Sequence, residues 1–275
     1  MNHIDAEPNL NTSVNVIFRP KPVVVLLSLA FGTALYSSET QAAENLAGSY
    51  TQQVSVVAKG SDAPAPNTTA YSINKVNGGN GQDASVQVVA DTTINTLFRA
   101  TDSGLVVNSS GGNGSHHEGN GVRNGELRGG KGGNGGAIQL QLSNGALLIQ
   151  TRGQGLSLDS HGGNAGNNSN KEHPATAGVG GSVAVQAQGQ EVQIATTGVG
   201  KHAIGVNSSG GNGARGLFDN GNAFWTTMSP STDGANAGEV VVNLNGHTEL
   251  NTSADGSNAL NLQSRAGNGG EVGNG

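Results

Sequence analysis

The seven residues NSSGGNG occupy Asn108–Gly114 and return unchanged at Asn207–Gly213. Each copy closes a stretch of the same build. The first reads ASVQVVADTTINTLFRATDSGLVVNSSGGNG (Ala84–Gly114) and the second SVAVQAQGQEVQIATTGVGKHAIGVNSSGGNG (Ser182–Gly213). Two looser versions lie between and after them: AIQLQLSNGALLIQTRGQGLSLDSHGGNA (Ala137–Ala165) and EVVVNLNGHTELNTSADGSNALNLQSRAGNG (Glu239–Gly269). An incomplete version precedes all four, with QQVSVVAKG at Gln52–Gly60 and YSINKVNGGNG at Tyr71–Gly81.

Each full copy predicts three short strands. In the first, apolar and polar residues alternate, as in Ile138/Leu140/Leu142, Val183/Val185/Ala187 and Val240/Val242/Leu244. A period of two marks a strand with one buried face. Turn residues follow at Asn144-Gly145, Gly189-Gln190 and Asn245-Gly246. The second strand ends in an apolar-x-Thr pair: Ile94/Thr96, Ile149/Thr151, Ile194/Thr196 and Leu250/Thr252. The third alternates again through Leu105/Val107, Leu156/Leu158, Ile204/Val206 and Leu260/Leu262, and closes on a polar residue and a serine.

A fixed three-strand unit followed by a segment of variable length predicts a solenoid. Coils are expected near residues 50–81, 84–136, 137–181, 182–238 and 239–275, with parallel strands stacked coil on coil. This fold also accounts for the composition. Of 275 residues 46 are glycine, aromatics are 3% and charged residues 12%. That mixture cannot fill a thick globular core, but it suffices for a thin core extended by stacking. The glycine phrase is expected to serve as a corner, where Gly and Asn adopt the positive φ that other residues resist.

The strand, Gly turn, IxT, Gly, strand-to-Ser and Gly/Asn burst together resemble the passengers of bacterial autotransporters, and the resemblance covers most of residues 50–275. It implies an all-β, right-handed parallel β-helix (β-solenoid) with Gly-rich corner loops, at the surface of a Gram-negative cell or secreted from it. It points to an architecture more than to an activity, and since no catalytic or cofactor-binding set is found in the residues, the expected role is that of a non-catalytic stalk or adhesin. A β-barrel translocator of the outer membrane is the implied partner, in cis if the chain is a fragment and otherwise in trans, since no barrel sequence with aromatic girdles is present here. A host or neighbouring-cell surface would be the second partner. The alternative is a carbohydrate-active β-helix enzyme of pectate-lyase-like architecture.

The N-terminus suits export. Arg19 and Lys21 precede an apolar run, Val23–Tyr36, and Thr40-Gln41-Ala42 matches a signal-peptidase site, so residues 1–42 are expected to form a signal peptide with an extended n-region. Residues 43–275 are then the mature solenoid, exported through the periplasm. The chain has no cysteine, which excludes disulfides and thiolate metal sites. Its net charge of −6, without a basic cluster, argues against nucleic acid.

Several stretches imitate chemical motifs. GELRGGKG (Gly125–Gly132) has the glycines and Lys131 of a phosphate loop, but Gly132 replaces the magnesium-binding hydroxyl. GGNGQDASV (Gly78–Val86) fits a calcium nonapeptide through Asp83 alone, and in GGNGGAIQL Ala137 replaces that Asp. His116, His117 and Glu118 adjoin in sequence, and a metal there would need help from His161 or His173. Asn108, Asp159, Asn207 and Gln263 align as a column, read as a stacked hydrogen-bonding ladder rather than an acidic site. No Ser/His/Asp set can be placed, so no catalytic, cofactor-binding or metal residue is assigned. Phe218, Phe224, Trp225 and Met228 gather in one insertion, GLFDNGNAFWTTMSP, and are the candidate partner-binding residues.

Overall fold

A computed structural model describes residues 42–63, 76–116, 129–167, 175–215 and 231–270. All belong to the compact unit Ser38–Gly275, which is all-β. The lowest coil holds β1 (Ala42–Tyr50) and β2 (Val54–Lys59). The next holds β3 (Ala84–Asn95) and β4 (Leu105–Ser110). Above them come three coils of three strands. These are β5 (Ile138–Leu142), β6 (Leu147–Thr151) and β7 (Leu156–His161), then β8 (Val183–Gln188), β9 (Val192–Thr196) and β10 (Ile204–Ser209), and last β11 (Val240–Asn245), β12 (Thr248–Thr252) and β13 (Leu260–Arg265).

Every pairing is parallel and joins like to like one coil apart. First strands follow the order β3-β5-β8-β11, second strands β3-β6-β9-β12 and third strands β2-β4-β7-β10-β13. In β3 the first and second strands are fused across the bend that Gly145 and Gly189 make in the coils above. The solenoid begins earlier than its sequence suggests. β1 pairs with β3 from Ala42 onward, and QQVSVVAKG supplies a third strand, pairing with β4. Of YSINKVNGGNG, residues 71–75 lie outside the described residues and Val76–Gly81 run without strand pairing.

The expected register holds. Ile138, Leu140, Val183 and Val185 are buried, and Val240 and Val242 pack half-buried on the same core. The interior is a set of columns, such as Ile94–Ile149–Ile194–Leu250 along the second strands and Leu105–Leu156–Ile204–Leu260 along the third. Between coils spaced ~4.8 Å apart, each side chain rests on its counterpart, so burial is shared along the stack. In the last coil the columns run out, and Leu260 and Leu262 are more than two-fifths exposed.

The glycine phrase does something other than turn a corner. The positive-φ glycines among the described residues are Gly48, Gly145, Gly189, Gly200 and Gly256, none of them in the phrase. After each third strand the chain runs outward along the phrase, and a second glycine-rich arm brings it back to the next coil. Outgoing and returning arms interleave in one backbone ladder. Gly112 N–H donates to Gly79 O (2.8 Å), Gly133 to Gly112 (2.9 Å), Gly163 to Gly133 (2.8 Å) and Gly178 to Gly163 (2.9 Å). Gly211 donates to Gly178 (2.9 Å), Ala235 to Gly211 (3.0 Å) and Gly267 to Ala235 (2.8 Å).

The bonding has a period of three, that of an extended threefold helix. Gly111 and Gly114 donate to the outgoing arm one coil up, at His161 O and Asn164 O. Gly112 and Ser115 donate to the returning arm below, at Gly79 O and Val76 O. Asn113, the exposed third position, donates to Asp62 Oδ1. Glycine is needed because the arms approach too closely for a side chain. A Cβ on Gly163 would lie 2.0 Å from Gly112 O, and one on Gly178 1.8 Å from Gly133 O. The expected conformational role is therefore corrected to a steric one.

Two buried polar columns tie the ladder and turns to the strands. Ser160 Oγ donates to Gly136 O (2.8 Å) and accepts from Gly181 N–H (2.9 Å), stapling two successive returning arms. Ser109 and Ser208 do the same with Gln82/Gly136 and Gly181/Gly238. At the end of the second strands Thr96 Oγ1 donates to Thr151 Oγ1 (2.7 Å), which donates to Asp102 O (2.7 Å). Ser160→Ala keeps the size and strands both partners without a bond. Removing the hydroxyl should cost about 2 kcal/mol in urea unfolding, the penalty for orphaned buried polar groups. A loss below the error of the fit would mean that the serines are packing residues only.

Candidate functional site

The outward face of the third strands carries a column in register: Lys59, Ser110, His161, Ser209 and Arg265. Beside it runs the exposed position of the outgoing arm: Asp62, Asn113, Asn164, Asn212 and Asn268. Along this second column each side chain accepts the backbone N–H of the residue one coil up. Asp62 Oδ1 accepts from Asn113 (2.9 Å), Asn113 Oδ1 from Asn164 (2.9 Å), Asn164 Oδ1 from Asn212 (2.8 Å) and Asn212 Oδ1 from Asn268 (2.9 Å). The N–H of Asn113 holds the Asp62 carboxyl below its ordinary pKa, with help from the Lys59 ammonium at 2.9 Å.

Where the two columns meet near the last coils they line a groove of about 730 Å³. Its side chains are His161, Ser209 and Arg265 on one wall and Asn164, Asn212 and Asn268 on the other, with glycine backbone between. The amide ladder uses Oδ1 of Asn164 and Asn212, and their Nδ2 groups join no hydrogen bond among the described residues. Arg265 is exposed and joins no ion pair among the described residues.

The structure brings together a Ser/His/Asp set that sequence reading does not place. His161 Nδ1 meets Ser209 Oγ, and Asp159 Oδ1 lies 3.9 Å from Nε2. The carboxylate is too far for a hydrogen bond, and it also accepts from Ser157 Oγ (3.1 Å). The nearby amides of Gly162 and Gly210 are engaged by the carbonyls of Ser209 and Arg265, so neither is free to hold an oxyanion. The signal for the set was residue spacing: His161 and Ser209 each lie one place beyond the buried serine of their strand.

The other sequence candidates separate. The expected ladder at Asn108, Asp159, Asn207 and Gln263 is corrected: Asn108 Oδ1 and Asn207 Oδ1 are buried without a partner. Strand register aligns these side chains, but Asp159 and Gln263 bond within their own strands, to Ser157 and Asn261, and no hydrogen bond joins one member of the column to the next. Asp83 Oδ1 caps Ala137 N–H (2.7 Å). Gly130 and Gly132 at the phosphate-loop imitation donate to Ser115 O and Thr176 O, which leaves those amides unable to cradle a phosphate. His116 is exposed and its Nδ1 accepts from Asn167 N–H. His117, Glu118, His173, Gly125 and the set Phe218, Phe224, Trp225 and Met228 lie outside the described residues. Among the described residues no group of three His, Cys, Asp or Glu could hold a metal ion. No family profile, no curated protein and no solved structure matches this chain.

Proposed function

We propose that the chain is a secreted or surface-exposed, non-catalytic right-handed β-helix, the passenger of an autotransporter-like system, serving as stalk or adhesin. The observation that carries this reading is the continuity of the stack. The apolar columns and the glycine ladder bond each coil to the next without interruption. Such a stack is a stiff spacer that needs no cofactor, and its coils can be added one after another as the chain emerges from a pore. The right-handed sense follows the strong preference of crossovers between parallel strands. A β-barrel translocator is the partner in export, and Val23–Tyr36 with Thr40-Gln41-Ala42 is the export signal. Contacts with a host or neighbouring cell fall to exposed groups and to Phe224 and Trp225, whose rings offer roughly 1.5–3 kcal/mol each on burial.

The test is expression of the full chain in a Gram-negative host, with N-terminal sequencing and fractionation. The expected product begins at Ala43 and lies outside the cytoplasm. A chain retained in the cytoplasm with its first 42 residues intact would end the export reading. Replacing Phe224 and Trp225 together by Ala should weaken adhesion to cells and leave the melting temperature within a few degrees. A sharp fall in melting temperature with adhesion intact would make the two rings a structural cap.

A further inference from the structure

We infer that the groove between the third-strand column and the asparagine column binds an acidic saccharide, one carboxylate-bearing sugar on Arg265 with neighbouring sugars on the asparagines. The inference rests on the adhesin reading for its biological setting, but its chemistry comes from the groove. The donors outnumber the acceptors there. Asn164 and Asn212 have committed Oδ1 to the backbone of the coil above, so the group each has left to offer a ligand is its Nδ2. Arg265 adds a guanidinium without an ion-pair partner among the described residues, whose planar fork matches a carboxylate. Ser209 adds a hydroxyl that pairs with His161 Nδ1. One row of amides, one cation and one hydroxyl call for a ligand rich in neutral oxygens with an isolated negative charge. A multiply sulfated or phosphorylated polymer would need several cations in a row, and the column supplies serine and histidine between Lys59 and Arg265.

Geometry points the same way. The asparagines repeat once per coil, at ~4.8 Å, about the length of one pyranose ring along a glycan chain. Their positions are fixed by backbone bonds, so little ordering entropy is lost on binding. Asp159 is a charged group near His161, 3.9 Å from its Nε2, and it accepts a hydrogen bond from Ser157 Oγ. It stands two coils below Arg265 and does not neutralise it.

The experiment titrates the full chain with a galacturonic-acid trimer, a neutral galactose trimer and inorganic phosphate, for the native protein and for Arg265→Ala. Circular dichroism checks that the variant is folded. Arg265 is exposed, so the substitution leaves the stack untouched. The acidic trimer should bind at least tenfold tighter than the neutral one, and Arg265→Ala should remove that difference while keeping the weak neutral binding. Phosphate binding as tightly as the trimer would overturn the inference in favour of a simple anion site. It would be overturned equally by absent trimer binding or an unaffected Arg265→Ala. Adhesion is scored separately: trimer binding without any adhesion to cells sinks the adhesin reading and leaves the groove standing, and adhesion that is indifferent to trimer and to Arg265→Ala does the reverse.

Discussion

Gly163→Ala should lower stability by at least about 3 kcal/mol, the upper range for forcing atoms into a packed interior. The new methyl would lie 2.0 Å from the Gly112 carbonyl oxygen and 2.6 Å from its carbon. Both are backbone atoms, held by the ladder above and below, so no rotamer change can relieve the contact. The arms would have to separate, and the bonds of Gly163 to Gly133 and of Gly178 to Gly163 would go with them. Gly189→Ala is the control. Gly189 has φ +80° and nothing within 4 Å of an added Cβ. Its cost is the left-handed conformation alone, about 1–2 kcal/mol. Urea unfolding of the two variants decides between steric and conformational roles for glycine. Equal losses would show that the arms are not close-packed.

Val185→Asp should be more damaging still, about 4 kcal/mol or more, because an unpaired charge would enter a dry interior. Val185 is buried between Leu140 and Val242 in the first-strand column, with no polar neighbour in that column to answer a carboxylate. Gln186, the next residue, faces outward between Gln141 and Asn243. Gln186→Asp should change stability by less than about 0.5 kcal/mol. Similar losses at the two positions would mean that the strand is displaced by one residue, since such a slip exchanges the two faces.

The strands and their register were legible because alternation is a strong local signal. Ile138/Leu140, Val183/Val185 and the apolar-x-Thr pairs needed no knowledge of neighbours to be placed. The role of the phrase was misread because glycine has two unrelated uses, permitting unusual φ and permitting close approach. A single outgoing copy such as Gly111–Gly114 does not distinguish them. The returning arm does: in GGKGGNGGA, Gly129–Ala137, every third residue is not glycine, and a period of three belongs to an extended helix rather than to a turn. The groove was illegible for a different reason. His161, Ser209 and Arg265 come from three coils, and the asparagines beside them look like turn residues until the stack aligns them.

Between the outgoing and returning arms lie residues 117–128, 168–174 and 216–230, the longest about twice the shortest. Each segment starts and ends on backbone that the ladder already clamps. Closing such a loop costs only about 0.6 kcal/mol more for each doubling of its length. The stack therefore decouples heritable variation from folding. Changes of length between the arms should cost the described strands little stability and leave their register unchanged.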